Sequence, residues 1–78
     1  VVALVSQRGW QGVNVDAVVI AERPKLKPHI EAMRGNIASR IGLAADNVGV
    51  KATTNERLGP EGREEGISCQ AVVLLGQP

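Results

Sequence analysis

The sequence predicts an α+β fold: a mixed β-sheet with helices packed on one of its faces. Three segments show the two-residue alternation of side chains that is typical of strands. An apolar stripe at helical spacing separates the first two of these segments, and another helical pattern opens the chain. The predicted order is therefore helix-strand-helix-strand-strand, and 78 residues have room for one domain at most.

The first helix and the first strand are separated by a short turn. Residues 1–8 carry apolar side chains at helical spacing, and Gly9 is a typical stop signal for a helix. We predict a turn over residues 10–12 and a strand over residues 13–21. One face of this strand consists of Val13, Val15, Ala17 and Val19.

The second helix follows a loop that contains Pro24 and Pro28, which hold the backbone extended and stiff. Pro28 suits the first turn of a helix, and Gly42 lies where a C-cap glycine belongs. The apolar stripe between these two residues is formed by Ile30, Met33, Ile37 and Ile41.

The last two strands are predicted over residues 48–54 and 67–75, with a long, charged, glycine-rich loop between them. Because the first two strands bracket a helix, we expect them to run parallel. The predicted helices are too few to pack over both faces of a three-stranded sheet, so one face would be left exposed. We therefore expect another chain, or an upstream segment of a longer polypeptide, to pack there.

The composition argues against several classes of function. The net charge is +1 with acids and bases mixed, and Trp10 is the one aromatic residue, so neither a basic patch nor base-stacking platforms are indicated. No apolar run approaches the roughly 20 residues of a membrane span. Cys69 lies in an apolar alternating run and is predicted to be a buried thiol in a reducing compartment.

A candidate site lies at the end of the second strand and in the loop after it. Thr53 and Thr54 supply adjacent hydroxyls and Glu56 supplies a carboxylate, with cations and glycines on both sides. Hydroxyls and cations hold phosphate oxygens, a carboxylate holds a hard divalent cation, and glycines allow close backbone approach. This pattern suggests a metal-bridged phosphate site.

Three segments together resemble one enzyme family. They are residues 21–34 (AERPKLKPHIEAMR), residues 48–59 (VGVKATTNERLG), and residues 62–67 (GREEGI) followed by AVVLL. In this order they resemble the C-terminal half of the 2-C-methyl-D-erythritol 2,4-cyclodiphosphate synthases. The resemblance implies a chorismate-mutase-like two-layer sandwich, of which residues 1–78 are a single partial domain without the zinc-binding N-terminal half.

The resemblance also implies a reaction. Family members convert 4-diphosphocytidyl-2-C-methyl-D-erythritol 2-phosphate to the cyclic diphosphate and release CMP, in the non-mevalonate route to isoprenoids. They are homotrimers with active sites between subunits, and they bind zinc and a second divalent cation, magnesium or manganese. The implied compartment is the bacterial cytoplasm or the plastid stroma, with no nucleic-acid or membrane partner.

Site residues follow from the resemblance position by position. Thr54 matches the catalytic threonine, and Glu56 matches the carboxylate that holds the second cation. No zinc ligand has a match in this chain, and the single histidine, His29, is expected to be structural or at the surface. The expected substrate-binding residues are Ala21, Glu22, Arg23, Pro24, Lys25, Leu26, Lys27, Thr53, Thr54, Asn55, Glu56 and Arg63.

The chain departs from the family pattern at Lys27, which leaves the second helix without a hydroxyl cap, and mildly at Asn55. It also departs at Pro60 and Glu64, so the loop after the second strand is expected to be reshaped. Without the zinc half, the isolated chain is expected to be inactive. A small non-catalytic ligand-binding or assembly module is the alternative. A nucleic-acid-binding role would depend on cations around the second helix start, namely Arg23, Lys25, Lys27 and Arg34.

Overall fold

The computed structural model describes residues 1–77 of the chain. Two short 3-10 turns, Lys27–His29 and Ala45–Asn47, precede the second helix and the second strand. The helices and strands are, in order, α1 (Val2–Gln7), β1 (Gln11–Ile20), α2 (Ile30–Ile41), β2 (Val48–Thr53), α3 (Gly59–Gly62) and β3 (Ser68–Gly76). The predicted α+β class is confirmed, and α3 is added within the predicted loop.

The three strands form one mixed sheet in the order β2-β1-β3. β1 runs parallel to β2, with Val15 opposite Val48 and Ile20 opposite Thr53. β3 runs antiparallel to β1 along its other edge. The parallel pair confirms the expectation drawn from the helical crossover, and it places the carboxyl ends of β1 and β2 at the same edge of the sheet.

A small apolar core joins α2 to the sheet. Val15, Val48 and Val50 are buried together with Ala38 of α2, and only 2% of Val48 is exposed. The partly buried residues that pack against them are Ile30, Met33, Ile37, Ile41 and Leu43. The predicted apolar stripe is therefore the face that α2 buries.

Arg34 ties α2 to the beginning of β2. Its Nε donates to the Val48 carbonyl oxygen at 2.8 Å, and its Nη2 donates to the Ala45 carbonyl oxygen at 2.8 Å. Its Nη1 lies 3.0 Å from the Glu31 carboxylate. Because this guanidinium is committed to the fold, Arg34 is a poor candidate for the cationic surface that nucleic-acid binding would need.

The second helix ends as predicted. Gly42 has a φ of 83°, and its N–H donates to the Ala38 carbonyl oxygen at 2.8 Å. A left-handed conformation at this position costs glycine little because it has no Cβ. The sequence signal for the helix end thus corresponds to an observed αL cap.

Some predicted boundaries are wrong by one or two residues. Gln11 and Gly12 were assigned to a turn but belong to β1, because Gly76 and Leu75 of β3 extend far enough to pair with them. The register shifts between Gly12 and Asn14, and the regular alternation of buried and exposed residues in β1 begins after this shift, at Val15. Such pairing depends on a strand distant in sequence, so local patterns do not reveal it.

The prediction that Cys69 is buried is wrong for this chain, where the thiol is exposed. Cys69 lies opposite Val19, so its side chain belongs to the face that α2 occupies, but α2 packs over β2. The alternation of side chains shows on which face of the sheet a residue lies, but it does not show whether another element packs over that face. The other exposed apolar residues in or beside β3 are Ile67, Val72, Val73, Leu74 and Leu75.

Within the described residues, no helix has both the length and the apolar character that crossing a membrane requires.

Candidate functional site at the ends of β1 and β2

The segments that leave β1 and β2 start side by side. Ile20 and Thr53 are Cα partners, and the Ala21 N–H donates to the Thr53 carbonyl oxygen at 3.0 Å, which extends the pairing by one step. Two loops therefore diverge from one point: residues 21–27 after β1, and residues 54–58 after β2. The carboxyl ends of parallel strands are a common location for ligand sites in α/β sheets.

The segment after β1 and the end of β2 border an open cavity of about 360 Å³. Eight of the predicted substrate-binding residues line it, and Ala52 completes the lining. The predicted residues in this set are Ala21, Glu22, Pro24, Lys25, Leu26, Lys27, Thr53 and Thr54. The structure thus brings together the proline-containing segment and the threonine pair, which lie about 30 positions apart in the sequence.

The remaining predicted residues, Arg23, Asn55, Glu56 and Arg63, do not line this cavity. A larger groove of about 620 Å³ runs along β2 beside Arg34. That groove is bordered by an arginine that already serves the fold, and it contains none of the predicted site residues. The smaller cavity is therefore the better candidate.

The first wall of the cavity is the segment from Ala21 to Lys27. The Arg23–Pro24 peptide bond is cis, and the His29 N–H donates to the Leu26 carbonyl oxygen at 2.8 Å where the segment enters its 3-10 turn. Leu26 is half-buried, whereas Lys25 and Lys27 are exposed. This wall therefore combines one half-buried apolar side chain with exposed lysines.

The second wall is the turn after β2. The Glu56 N–H donates to Thr54 Oγ1 at 3.3 Å, so the hydroxyl oxygen accepts and its own proton stays available for another acceptor. Glu56 and Arg57 have φ values of 51° and 67°, an unusual pair of left-handed residues without glycine. The Arg57 N–H donates to Glu22 Oε1 of the first wall at 2.9 Å.

The turn after β2 contains one carboxylate, that of Glu56. Glu56 is exposed, and no hydrogen bond or ion pair of its carboxylate occurs among residues 1–77. A single carboxylate is an adequate protein ligand for a cation that also takes phosphate oxygens and water. Zinc requires three or four ligands, and the described residues contain no cluster of three or more His, Cys, Asp or Glu side chains.

The loop that carries Arg63 is held by contacts within the chain. Arg63 Nε lies 2.9 Å from Glu65 Oε1, and Arg23 Nε lies 3.0 Å from Glu64 Oε1. Glu65 therefore pairs with Arg63 of the same chain. Arg63 therefore remains outside the cavity, and its contact with a phosphate stays a prediction.

A polar cluster around Glu61 was missed at the sequence level. Ser68 Oγ donates to one Glu61 carboxylate oxygen, and Asn55 Nδ2 donates to the other at 3.2 Å. The Ser68 hydrogen bond is the main reason why the pKa of Glu61 lies below its usual value of 4.5. The Glu61 backbone N–H, Asn55 and Arg63 lower it further, and desolvation opposes them. Asn55 was noted as a departure from the family pattern, which was the one signal available in advance.

These features define a class: an α+β chain with a small cavity at the carboxyl ends of two parallel strands. A proline-stiffened segment and a threonine pair line the cavity, and a carboxylate follows on the turn beside it. The chain belongs to the YgbB family, whose sequence profile matches residues 1–76.

Similar sequences carry one name. The chain is 83% identical over 75 residues to 2-C-methyl-D-erythritol 2,4-cyclodiphosphate synthase of Synechococcus sp. strain CC9311, covering 96% of this chain and 45% of that protein. It is 60% identical over 75 residues to the synthase of Pseudomonas aeruginosa strain UCBPP-PA14, covering 96% of this chain and 48% of that protein. The chain thus spans about half the length of the curated relatives that it matches.

Solved structures share the fold. The synthase from Plasmodium vivax superposes with a TM-score of 0.92 at 39% identity, covering 99% of this chain and 51% of that one. The CDP complex of IspF from Plasmodium falciparum superposes with a TM-score of 0.91 at 30% identity, covering 97% of this chain and 49% of that one. The predicted resemblance to this family is confirmed.

Proposed function

We propose that this chain supplies the cytidine and phosphate part of a 2-C-methyl-D-erythritol 2,4-cyclodiphosphate synthase. The complete enzyme converts 4-diphosphocytidyl-2-C-methyl-D-erythritol 2-phosphate to the cyclodiphosphate and releases CMP, a step of the non-mevalonate isoprenoid pathway. The observation that carries the proposal is the cavity that joins residues 21–27 to the threonine pair. A similar chain forms a complex with CDP, which supports a cytidine diphosphate ligand.

The first wall recognises the base. Residues 21–27 present a stiff backbone, so their N–H and C=O groups lose little entropy when they hydrogen-bond to a cytosine. Ala21 is anchored to Thr53 by a backbone hydrogen bond, which fixes the distance between the base and the phosphates. Lys25 and Lys27 lie at the exposed rim, where their charge favours an anionic nucleotide.

The second wall holds the diphosphate. Thr53 and Thr54 donate to its oxygens, and Thr54 donates where negative charge grows as the bond to CMP breaks. The Thr54 hydroxyl is oriented for this role because its oxygen already accepts the Glu56 N–H. Glu56 would hold magnesium or manganese, which supplies neutralisation of phosphate charge when it is bound. Phosphoryl transfer needs this positioning more than covalent help from the protein.

The rest of the site is assigned to other parts of the assembly. We place the zinc ligands in an N-terminal half and the complete active sites between the subunits of a homotrimer, and Arg63 near the phosphates of such a site. The bacterial cytoplasm or the plastid stroma is the proposed compartment. The isolated chain should lack cyclase activity because it contributes no zinc ligands.

A chimaera tests the proposal. In it, the matching segment of the Synechococcus synthase is replaced by the 75 aligned residues of this chain. We expect the chimaera to bind CDP in preference to UDP and ADP by isothermal titration calorimetry and to release CMP from the CDP-linked substrate. Thr54→Val should reduce turnover by at least about 100-fold, the usual loss for a donor to developing charge.

The matched control is Thr53→Val, which removes the neighbouring hydroxyl and should affect substrate affinity more than turnover. A chimaera that folds and binds CDP without turnover would favour the non-catalytic binding module. A folded chimaera without preference for cytidine would contradict the proposal.

A further inference from the structure

We propose that Glu22 is a positioning residue that sets the orientation of Glu56 by holding the backbone of Arg57. The contact is a hydrogen bond of 2.9 Å from the Arg57 N–H to Glu22 Oε1, between residues 35 positions apart. This inference rests on the proposed function, since it concerns how the base-recognising wall controls the phosphate-binding wall. It also changes the assignment of Glu22 from a direct substrate contact to an indirect one.

The turn that Glu22 holds needs external support. Glu56 and Arg57 are consecutive residues with side chains and both have positive φ, at 51° and 67°. Such a pair is disfavoured by contacts of Cβ with the backbone, and it persists only where surrounding groups fix it. A carboxylate that accepts a backbone N–H is among the stronger hydrogen bonds available for this purpose.

The orientation of the Glu56 carboxylate depends on this turn. The Glu56 N–H is fixed by Thr54 Oγ1 on one side, and the next N–H, that of Arg57, is fixed by Glu22 on the other. The peptide unit between Glu56 and Arg57 therefore cannot rotate freely. Because that unit determines where the Glu56 side chain leaves the backbone, Glu22 acts on the proposed cation site without touching it.

A second contact of the first wall, to the segment after α3, is weaker. Arg23 and Glu64 form an ion pair at 3.0 Å, but their side chains are 80% and 49% exposed. Exposed ion pairs contribute little because solvent screens them and the long side chains lose entropy. The hydrogen bond of Glu22 is also at the surface, but its partner is a backbone group, so only one long side chain has to be ordered. We therefore assign the coupling of the two walls to Glu22.

The test uses the chimaera with Glu22→Ala, Glu22→Gln and the control Glu31→Ala. Glutamine retains an oxygen that accepts the Arg57 N–H, and Glu31 is an exposed carboxylate whose contact is with Arg34. Amide hydrogen exchange of residues 54–58 is measured without nucleotide or metal. The concentration of Mn²⁺ that half-saturates turnover and the affinity for CDP in EDTA are measured in parallel.

We expect Glu22→Ala to speed exchange at Arg57 and to raise the half-saturating Mn²⁺ concentration by about tenfold, the loss typical of one charge-assisted hydrogen bond. CDP affinity in EDTA and the preference for CDP over UDP should stay within about twofold of the parent, since backbone groups read the base. Glu22→Gln should keep the exchange at Arg57 and the half-saturating Mn²⁺ concentration close to those of the parent, and Glu31→Ala should match the parent in both.

Two results would overturn the inference. If Glu22→Ala behaved like Glu31→Ala in both amide exchange and Mn²⁺ dependence, the contact of Glu22 with Arg57 would not position the turn. A large loss of CDP affinity in EDTA with unchanged Mn²⁺ dependence would show that Glu22 contacts the nucleotide itself. If the parent chimaera failed to bind CDP, the proposed function would fail, while the exchange experiment would still decide whether Glu22 holds Arg57.

Discussion

Gly62 is the position where a single methyl group should damage the site most. A Cβ at Gly62 would lie 2.3 Å from the Arg57 carbonyl carbon and 2.7 Å from its Cα. Gly62 is buried at the end of α3 and packs directly against the left-handed turn of Glu56 and Arg57. Because the neighbouring atoms are backbone, no change of rotamer relieves the overlap.

The size of the effect follows from these distances. Ordinary van der Waals contact begins near 3.4 Å, so Gly62→Ala must push the Arg57 backbone and α3 apart by about 1.1 Å. Overpacking of this kind costs about 1–3 kcal/mol of folding free energy. A displacement of about 1 Å in a positioned catalytic group is associated with roughly 100-fold slower turnover. We expect both effects, with the loss of turnover dominating.

The assay compares Gly62→Ala with Gly66→Ala in the chimaera. Gly66 belongs to the same loop, and beyond its two chain neighbours no residue comes within 4 Å of the Cβ that alanine would add. Thermal unfolding and the rate of CMP release are measured for both variants. If Gly62→Ala released CMP as fast as Gly66→Ala, the packing of α3 against the turn would not position the site, and the reasoning would be refuted.

Three further predictions concern stability. Val48→Ala should lower the free energy of unfolding by about 2 kcal/mol in denaturant titrations, since two buried methyl groups are removed from the centre of the core. A decrease of less than about 0.5 kcal/mol would contradict this prediction. Arg34→Ala should lower the free energy of unfolding by about 1–2 kcal/mol because two backbone carbonyls lose a charged donor. Arg40→Ala, on the exposed part of α2, should leave stability nearly unchanged. Equal melting temperatures for these two variants would refute the prediction for Arg34. The pKa of Glu61 is lowered by its hydrogen bond from Ser68, so its contribution to stability is fully present above pH 4.5 and is lost as the pH falls through the lower, folded-state pKa. Glu61→Gln should therefore flatten the fall in melting temperature as the pH drops below 4.5, and an unchanged acid profile would disprove this linkage.

The fold was largely predictable because its signals are local. The stripe from Ile30 to Ile41, the cap at Gly42 and the alternation of β1 depend on the period of side chains along one element. The start of β1 at Gln11 and the exposure of Cys69 depend on how far a distant strand extends and what lies above it. Those properties are absent from any short window of sequence.

The two walls of the site were predicted, but the contacts between them were not. Residues 21–27 and the threonine pair were identified from the sequence, and their shared cavity is the consequence of the parallel pairing of β1 and β2. The contact of Glu22 with the Arg57 backbone and the cluster around Glu61 depend on positive φ values and on the short helix α3. Neither Glu56 nor Arg57 is a residue type that signals a left-handed turn, since both rarely adopt one.

The most direct measurement is a crystal structure of the chimaera with CDP and Mn²⁺, in which anomalous scattering locates the ion. The account predicts cytosine against the backbone of residues 21–27, diphosphate oxygens at Thr53 and Thr54, and Mn²⁺ within about 2.2 Å of a Glu56 carboxylate oxygen, the usual distance for such cations. A nucleotide bound outside this cavity, or Mn²⁺ held without Glu56, would contradict it.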